Sequence, residues 1–255
     1  MFRTFLVARN ESGRVEAFEE IIGRVAELFR ARLVVALVRD SSDLTKPVGA
    51  SATEPREGIE GPAQETDSRV QPVMLVGEFI SVVCDKGHEA DVIVVWHSSL
   101  TRPDGQEVAE QMSRLMREAP RPVWLGREPI RFPEHIVVAY DGSAHSGRAL
   151  HMSANLAETL GARLTVLHVN ESRDDVAQEL ILGRAAGYCE PYRIKMERVG
   201  ISGGAATSIR DYAESSQCDL LVLGATGVGY LRGLLFGSVA AQLIANAPCS
   251  VLVAK

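Results

Sequence analysis

The sequence predicts an α/β protein built from two tandem copies of one unit, each a mostly parallel sheet covered by helices on both faces. Short apolar runs typical of buried strands alternate with amphipathic stretches typical of helices along the 255-residue chain. The second half also repeats the first. Strands joined through helices pair in parallel, because the helix returns the chain to the same end of the sheet.

The repeat is visible at four places, and one small net gap aligns all of them. The first two matches have an offset of 131 residues and the last two an offset of 128. The matched segments are residues 5–10 with 136–141, 32–38 with 163–169, 91–96 with 219–224 and 119–125 with 247–253. Two copies at so long a period indicate a duplicated domain rather than a solenoid. We therefore predict domains at residues 1–128 and 132–255.

The second half shows the predicted order of elements most clearly. Apolar runs predict buried strands, and polar–apolar alternation predicts one edge strand. In chain order the predicted strands are residues 136–140, 164–169, 193–199 (the edge strand), 219–223 and 247–253. The helices predicted between them are residues 143–160, 174–186, 205–216 and 238–245. Gly161 ends the first helix and Ser238 is the predicted N-cap of the last.

Composition limits the classes of function. A net charge of −6, a pI near 5.6 and the lack of a basic run argue against nucleic acid or an anionic membrane as partner. Four scattered cysteines without a C-x-x-C pair favour free thiols in a reducing cytoplasm. No cysteine–histidine cluster has metal-ligand spacing, and no apolar stretch suits a signal peptide or a transmembrane helix.

A glycine motif lies between the fourth strand and the last helix of the second half. It consists of Gly224-Ala225-Thr226-Gly227 and, after nine intervening residues, Gly237-Ser238. Glycines let backbone N–H groups approach an anion, and a helix N-terminus attracts negative charge. The motif therefore predicts a phosphate site; the alternative is a surface turn before an ordinary capped helix. It matches neither the P-loop nor the dinucleotide fingerprint, which needs another glycine order after the first strand.

The spacing G-x2-G-x9-G-[ST] resembles the ATP-binding signature of the universal stress protein family. Three further segments resemble the family: residues 136–143 with an Asp-Gly-Ser turn, 164–169, and 247–253, where Ser250 replaces the usual second proline. The resemblance implies two Rossmann-like, adenine nucleotide alpha hydrolase-like domains. Each would have five parallel strands in the order 3-2-1-4-5, so that the ends of strands 1 and 4 frame a ligand crevice.

The resemblance also implies the residues of an ATP site. Asp141 would accept from the nucleoside, the main chain at Val169 would contact adenine, and Thr226 would donate to a phosphate. The alternatives are an aspartate that forms a turn or caps the helix, an ordinary strand-end valine and an exposed threonine. The expected nucleotide contacts are Ala139, Tyr140, Asp141, Val169, Leu223, Gly224, Thr226, Gly227, Gly237, Ser238, Val239 and Ala240.

Other residues near the motif have less specific interpretations. Arg232 could neutralise phosphate or face solvent, and the apolar residues of 231–236 could form a lid, a partner surface or plain packing. We expect His145 to face solvent, because no second carboxylate or nucleophile accompanies it. We expect Cys249 to pack in the core.

The first half is predicted to have lost the nucleotide site. Asn10 stands where the second half has Asp141, and Trp96-His97-Ser98-Ser99 replaces the first glycines. Ala109-Glu110 replaces Gly237-Ser238, so a carboxylate would repel phosphate there. We expect Trp96 to fill the core; the alternative is a stacking surface for another ligand.

We therefore predict a universal-stress-like protein that binds ATP, ADP or AMP, with Mg2+, through its second half. It would act in stress response through nucleotide-dependent conformation or an unknown protein partner. Alternatives are a slow ATPase or phosphoryl-transfer enzyme, for which no catalytic residue is identified, and a ligand-free scaffold. No metal-ligating residue is predicted. The two halves should pack through their strand 5 edges as an intrachain pseudo-dimer, and two chains could form a homodimer.

Overall fold

The structure is a computed structural model that describes residues 2–10, 16–39, 69–100, 108–225 and 238–255. Several predictions lie outside the described residues. They concern Thr226, Gly227 and Gly237, the apolar and basic residues of 231–236, and residues 41–69 except Arg69, whose Pro-, Gly- and Ser-rich sequence predicts a loop between strands 2 and 3 of the first half.

The described elements follow the predicted order in both halves. The first half contains β1 (Thr4–Arg9), α1 (Glu16–Leu28), β2 (Arg32–Arg39), β3 (Val70–Val76), α2 (Phe79–Gly87), β4 (Val92–Trp96), α3 (Val108–Glu118) and β5 (Val123–Gly126). The second contains β6 (His135–Ala139), α4 (Ala144–Leu160), β7 (Arg163–Asn170), α5 (Asp175–Cys189), β8 (Lys195–Ser202), α6 (Ala205–Ser215), β9 (Leu220–Gly224), α7 (Ser238–Asn246) and β10 (Ser250–Ala254).

All ten described strands form one continuous sheet in the order β3-β2-β1-β4-β5-β10-β9-β6-β7-β8. Strands within each half are parallel and have the predicted order 3-2-1-4-5. The halves meet where β5 and β10 pair antiparallel, with Trp124 opposite Leu252. The expected contact between strand 5 edges is therefore confirmed, and it makes a single sheet out of two.

Apolar side chains cover both faces of this sheet. One buried cluster lies under α2, α3, α6 and α7, and the other lies under α1, α4 and α5. Each cluster contains residues of both halves: Leu115 and Leu243 share the first, and Ile22 and Leu156 share the second. The two repeats therefore share their cores as well as their sheet.

The ends of several elements differ from prediction by a few residues. Helix α4 follows the N-cap Ser143 and ends at Gly161 in the left-handed conformation (φ 68°), as expected. Helix α7 begins at Ser238, so this serine is the first helical residue and not the predicted N-cap. Strand β8 runs to Ser202, beyond the predicted 199, because β7 extends to Asn170 and pairs it there.

The repeat extends to individual hydrogen bonds. The Asp91 carboxylate accepts from the backbone N–H groups of Arg3 (2.7 Å) and Thr4 (2.9 Å) at the start of β1. Asp219, at the equivalent position, accepts from Glu134 (3.1 Å) and His135 (2.9 Å) at the start of β6. Each half thus fixes the start of its first strand with one aspartate.

A basic residue after strand 5 of each half bonds to the last helix of the other half. The Arg127 guanidinium donates to the carbonyl oxygens of Ala247 (3.0 Å), Ile244 (3.1 Å) and Ala245 (3.0 Å) at the end of α7. Lys255 Nζ donates to the Met116 carbonyl near the end of α3. Helix ends expose unpaired carbonyls and partial negative charge, so each cation stabilises the opposite half.

The buried His135 predicts how stability depends on pH. Burial and the nearby Arg163 lower the pKa of His135, whose Nε2 lies 2.9 Å from the Thr165 hydroxyl. The unfolded chain then binds more protons near pH 6, so the free energy of unfolding should fall as pH drops below about 6.5. Urea denaturation at pH 7.5 and 5.5 measures this fall. It should be smaller in His135→Gln; an identical fall in both proteins would contradict the prediction.

Candidate functional site

The sheet brings the described part of the predicted site to one edge. Strands β6 and β9 are parallel neighbours, with Val138 opposite Val222. Ala139 therefore ends β6, and Tyr140 directly after it lies beside the end of β9, which is formed by Leu223 and Gly224. Val169 lies near the end of β7, on the other side of β6. The strand order changes direction between β6 and β9, which is where open α/β sheets bind ligands.

Helix α7 begins at the same edge. It connects the carboxyl end of β9 to the amino end of β10, and these strands are parallel. Its first three residues are Ser238, which is exposed, Val239, which is half-buried, and Ala240, which is buried. No acidic residue lies in its first turn. Its first N–H groups lack helical partners and form the positive end of the helix dipole.

Asp141 lies in a hydrogen-bonded turn between β6 and α4. Its Oδ1 accepts from the backbone N–H of Ser143 at 2.9 Å, and the Ser143 hydroxyl accepts from the N–H of Ser146 at 3.2 Å. Gly142 has a φ of +81°, a conformation that favours glycine. The turn role considered for Asp141 is therefore present, whereas the N-cap of α4 is Ser143, and the turn holds the Asp141 carboxylate at the carboxyl end of β6.

The backbone N–H and carbonyl of Tyr140 both form hydrogen bonds to residues of β7. Its N–H donates to the Leu167 carbonyl at 2.9 Å, and its carbonyl lies 2.9 Å from His168 Nδ1. These bonds hold the end of β6 against β7 beyond the regular strand pairing. They fix the positions of Asp141 and Val169 relative to each other.

Gly224 has a packing role that the sequence did not indicate. A Cβ at this position would lie 2.7 Å from the His145 carbonyl carbon and 2.8 Å from the Ser146 nitrogen. The first turn of α4 therefore lies directly against the end of β9. The glycine is required for this backbone contact, whatever it contributes to a ligand.

Sequence reasoning missed two polar residues near the site. Ser146 is buried, and its hydroxyl donates to the Ser143 carbonyl (3.1 Å) and lies 3.3 Å from the Asp141 nitrogen. The Ser-x-x-Ser spacing after a strand was the available signal. Asn170 is buried at the end of β7, and its Nδ2 has no hydrogen-bond partner among the described residues. No periodic signal distinguishes Asn170 from other residues at strand ends.

His145 and Cys249 have structural surroundings. His145 is half-buried and therefore only partly solvent-facing, and its backbone packs against Gly224. Burial and the nearby Arg148 lower the pKa of His145. Cys249 is buried as expected, with its sulfur 3.7 Å from that of Cys218. Burial raises the pKa of Cys218 well above its usual value, and all four cysteines are free and buried.

The equivalent edge of the first half is built differently. Trp96 is 8% exposed and its ring lies 4.9 Å from that of Phe18, which confirms the core-filling interpretation. Asn10 donates to the Ser99 carbonyl at 3.2 Å. Glu110 is exposed in the first turn of α3. A carboxylate therefore stands at the helix start where α7 has none in its first turn.

Metal binding by protein side chains is not supported in the described ranges. No group of three or more His, Cys, Asp and Glu residues is placed there to hold a metal ion. A Mg2+ ion that accompanies a nucleotide would depend on phosphate oxygens for its ligands. Within the same ranges no helix is both long and apolar enough to cross a membrane.

The fold defines a doubly wound α/β protein whose strand order changes direction between β6 and β9, the place where open α/β sheets bind ligands. A sequence model described as the universal stress protein family matches residues 133–186 and 170–255. A universal stress protein of Thermus aquaticus is 33% identical over 133 residues, which are 47% of this chain and 97% of that protein. The chain belongs to the universal stress protein family.

Two further comparisons extend over both halves. A universal stress protein of Synechocystis is 27% identical over an aligned stretch that makes up 72% of this chain. That stretch makes up 64% of the Synechocystis protein. The crystal structure of a putative universal stress protein from Pseudomonas aeruginosa superposes with a TM-score of 0.70 and 18% identity. The superposition covers 100% of this chain and 93% of the Pseudomonas aeruginosa chain. The two-repeat fold is therefore shared with a known structure.

Proposed function

We propose that the second half binds an adenine nucleotide, ATP or its ADP or AMP forms, with the phosphates at the start of α7. The nucleotide state would then control conformation or partner binding in a stress response. The observation that carries the proposal is the contrast between two equivalent helices. The first turn of α7 has no carboxylate, whereas the first turn of α3 contains Glu110.

The positions of the other groups support this assignment. The start of α7 lies at the carboxyl edge framed by β6 and β9, and Asp141 lies at the same edge on the turn before α4. Phosphate oxygens would bind the free N–H groups of Ser238, Val239 and Ala240. The nucleoside would lie toward Asp141 and Val169, and Mg2+ would bridge the phosphates.

Replacing Ser238 with aspartate separates phosphate binding from folding. A carboxylate in the first turn of α7 favours the helix by about 0.3–1 kcal/mol but repels phosphate. We expect Mg-ATP affinity, measured by calorimetry, to fall about tenfold or more, the equivalent of about 1.4 kcal/mol, while thermal stability is kept. Ser81→Asp, the same change in the first turn of α2, should leave affinity unchanged.

The amount of nucleotide bound tests the assignment to one half. Denaturing the purified protein and quantifying the released adenine nucleotide by mass spectrometry should give about one per chain. Two per chain would show that the first half also has a working site. No binding of Mg-ATP by the parent protein would refute the proposal and leave the ligand-free scaffold.

A further inference from the structure

Helix α5 has a line of exposed apolar and glycine residues on its outer side. Val176 is 81% exposed and Leu180 is 56% exposed. Gly183 and Gly187 continue the line, and a Cβ at either glycine would meet nothing within 4 Å. The spacing of four, three and four residues places all four on one stripe along the helix.

The opposite side of α5 already packs on the sheet. Leu182, Ala185 and Cys189 are buried in the apolar cluster shared with α4. Helix α5 is therefore apolar on two sides, a pattern typical of helices that are covered all round. An exposed apolar stripe of this kind marks an interaction surface.

Charges flank the stripe in a self-complementary way. Glu179 lies on one side of it and Arg184 on the other, five residues later. When two such helices pack in parallel, the residue at position 179 of one helix faces the residue at position 184 of the partner helix. Glu179 of each chain would thus meet Arg184 of the other. The Glu179 carboxylate is 73% exposed and bonds to Arg198 at 3.3 Å, so it is accessible from outside.

We propose that this stripe binds a second copy of the chain, with α5 packed parallel to α5 of the partner about a two-fold axis along the helices. Val176 and Leu180 would each contact their own symmetry mates, as an isologous interface requires. Gly183 and Gly187 allow the two backbones to approach closely. An antiparallel pair is disfavoured, because it places Glu179 and Arg184 on opposite sides of the contact.

Charge exchange tests the pairing. In sedimentation velocity over a concentration series, the parent chain should dimerise to twice its mass of 27.6 kDa. Glu179→Arg or Arg184→Glu alone should raise the dimer Kd about tenfold or more, because each creates two like-charge contacts. The double variant should restore the parent Kd. A parent that stays monomeric throughout, or a double variant no better than the singles, would overturn the proposal.

Cross-linking tests the two-fold geometry separately. Leu180→Cys places a thiol on the proposed axis, and the four native cysteines are buried. A mild thiol oxidant should convert this variant to a covalent dimer. Leu28→Cys on α1 is the matched control, since Leu28 is 51% exposed and lies away from the stripe. Equal cross-linking of the two variants, or none at position 180, would show that α5 does not meet its own copy.

Discussion

Replacing Arg127 with alanine should lower the free energy of unfolding by about 2–4 kcal/mol. The guanidinium donates to three carbonyl oxygens at the end of α7. Among the described residues, no other cationic side chain donates to the carbonyls at that helix end. Loss of the guanidinium removes the side-chain donors described for these carbonyls and a positive charge at the negative end of the helix dipole. Urea denaturation of the two proteins at pH 7.5 measures the difference.

An arginine with a weaker contact provides the control for this change. Arg121 is exposed and donates once, to the His88 carbonyl after α2, at 3.2 Å. Arg121→Ala should cost about 0.5 kcal/mol or less, as is usual for surface substitutions. Equal losses in the two variants would mean that the bonds to α7 contribute nothing beyond a surface charge.

Replacing Gly224 with alanine should destabilise the fold by about 1–3 kcal/mol through overpacking. The new methyl group would lie 2.7 Å from the carbonyl carbon of His145, and backbone cannot rotate away as a flexible side chain can. The start of α4 must therefore move, and the turn that holds Asp141 moves with it. Thermal or urea unfolding measures the loss, and calorimetry with Mg-ATP should show weaker binding.

Gly147, on α4 itself, is the matched control. A Cβ there would meet nothing within 4 Å, so Gly147→Ala should stabilise the helix by about 0.5–1 kcal/mol. The two glycine-to-alanine changes are thus expected to have opposite signs. A neutral Gly224→Ala would show that α4 does not press on β9 and that the glycine is retained for another reason.

The fold was largely predictable because its signals are local and repeated. Runs such as 136–140 and 219–223 are apolar on both faces, as buried parallel strands require, and Gly161 ends α4 with the expected left-handed conformation. The strand order came from the family resemblance and not from the residues. The continuous sheet then follows from β5 and β10: each has β4 or β9 on one side, and among the described strands only these two are left to pair with each other on the other side.

The candidate site was less predictable because its contacts are long-range. Nothing local shows that Gly224 faces the backbone of α4, since 78 residues separate it from Ser146. The three bonds of Arg127 reach residues 117 to 120 positions away. We predict that one nucleotide site contains Asp141, Val169 and the start of α7. The proposed binding measurements test this prediction.

The antiparallel pairing of β5 with β10 has a consequence for how the halves are connected. It points the carboxyl edge of the first half in the direction opposite to that of the second. Helix α7 starts at the carboxyl edge of the second half and ends beside Arg127, which follows β5 at the carboxyl edge of the first half. Nine residues, about 13 Å of helix, thus link the carboxyl edges of the two halves through one rigid element.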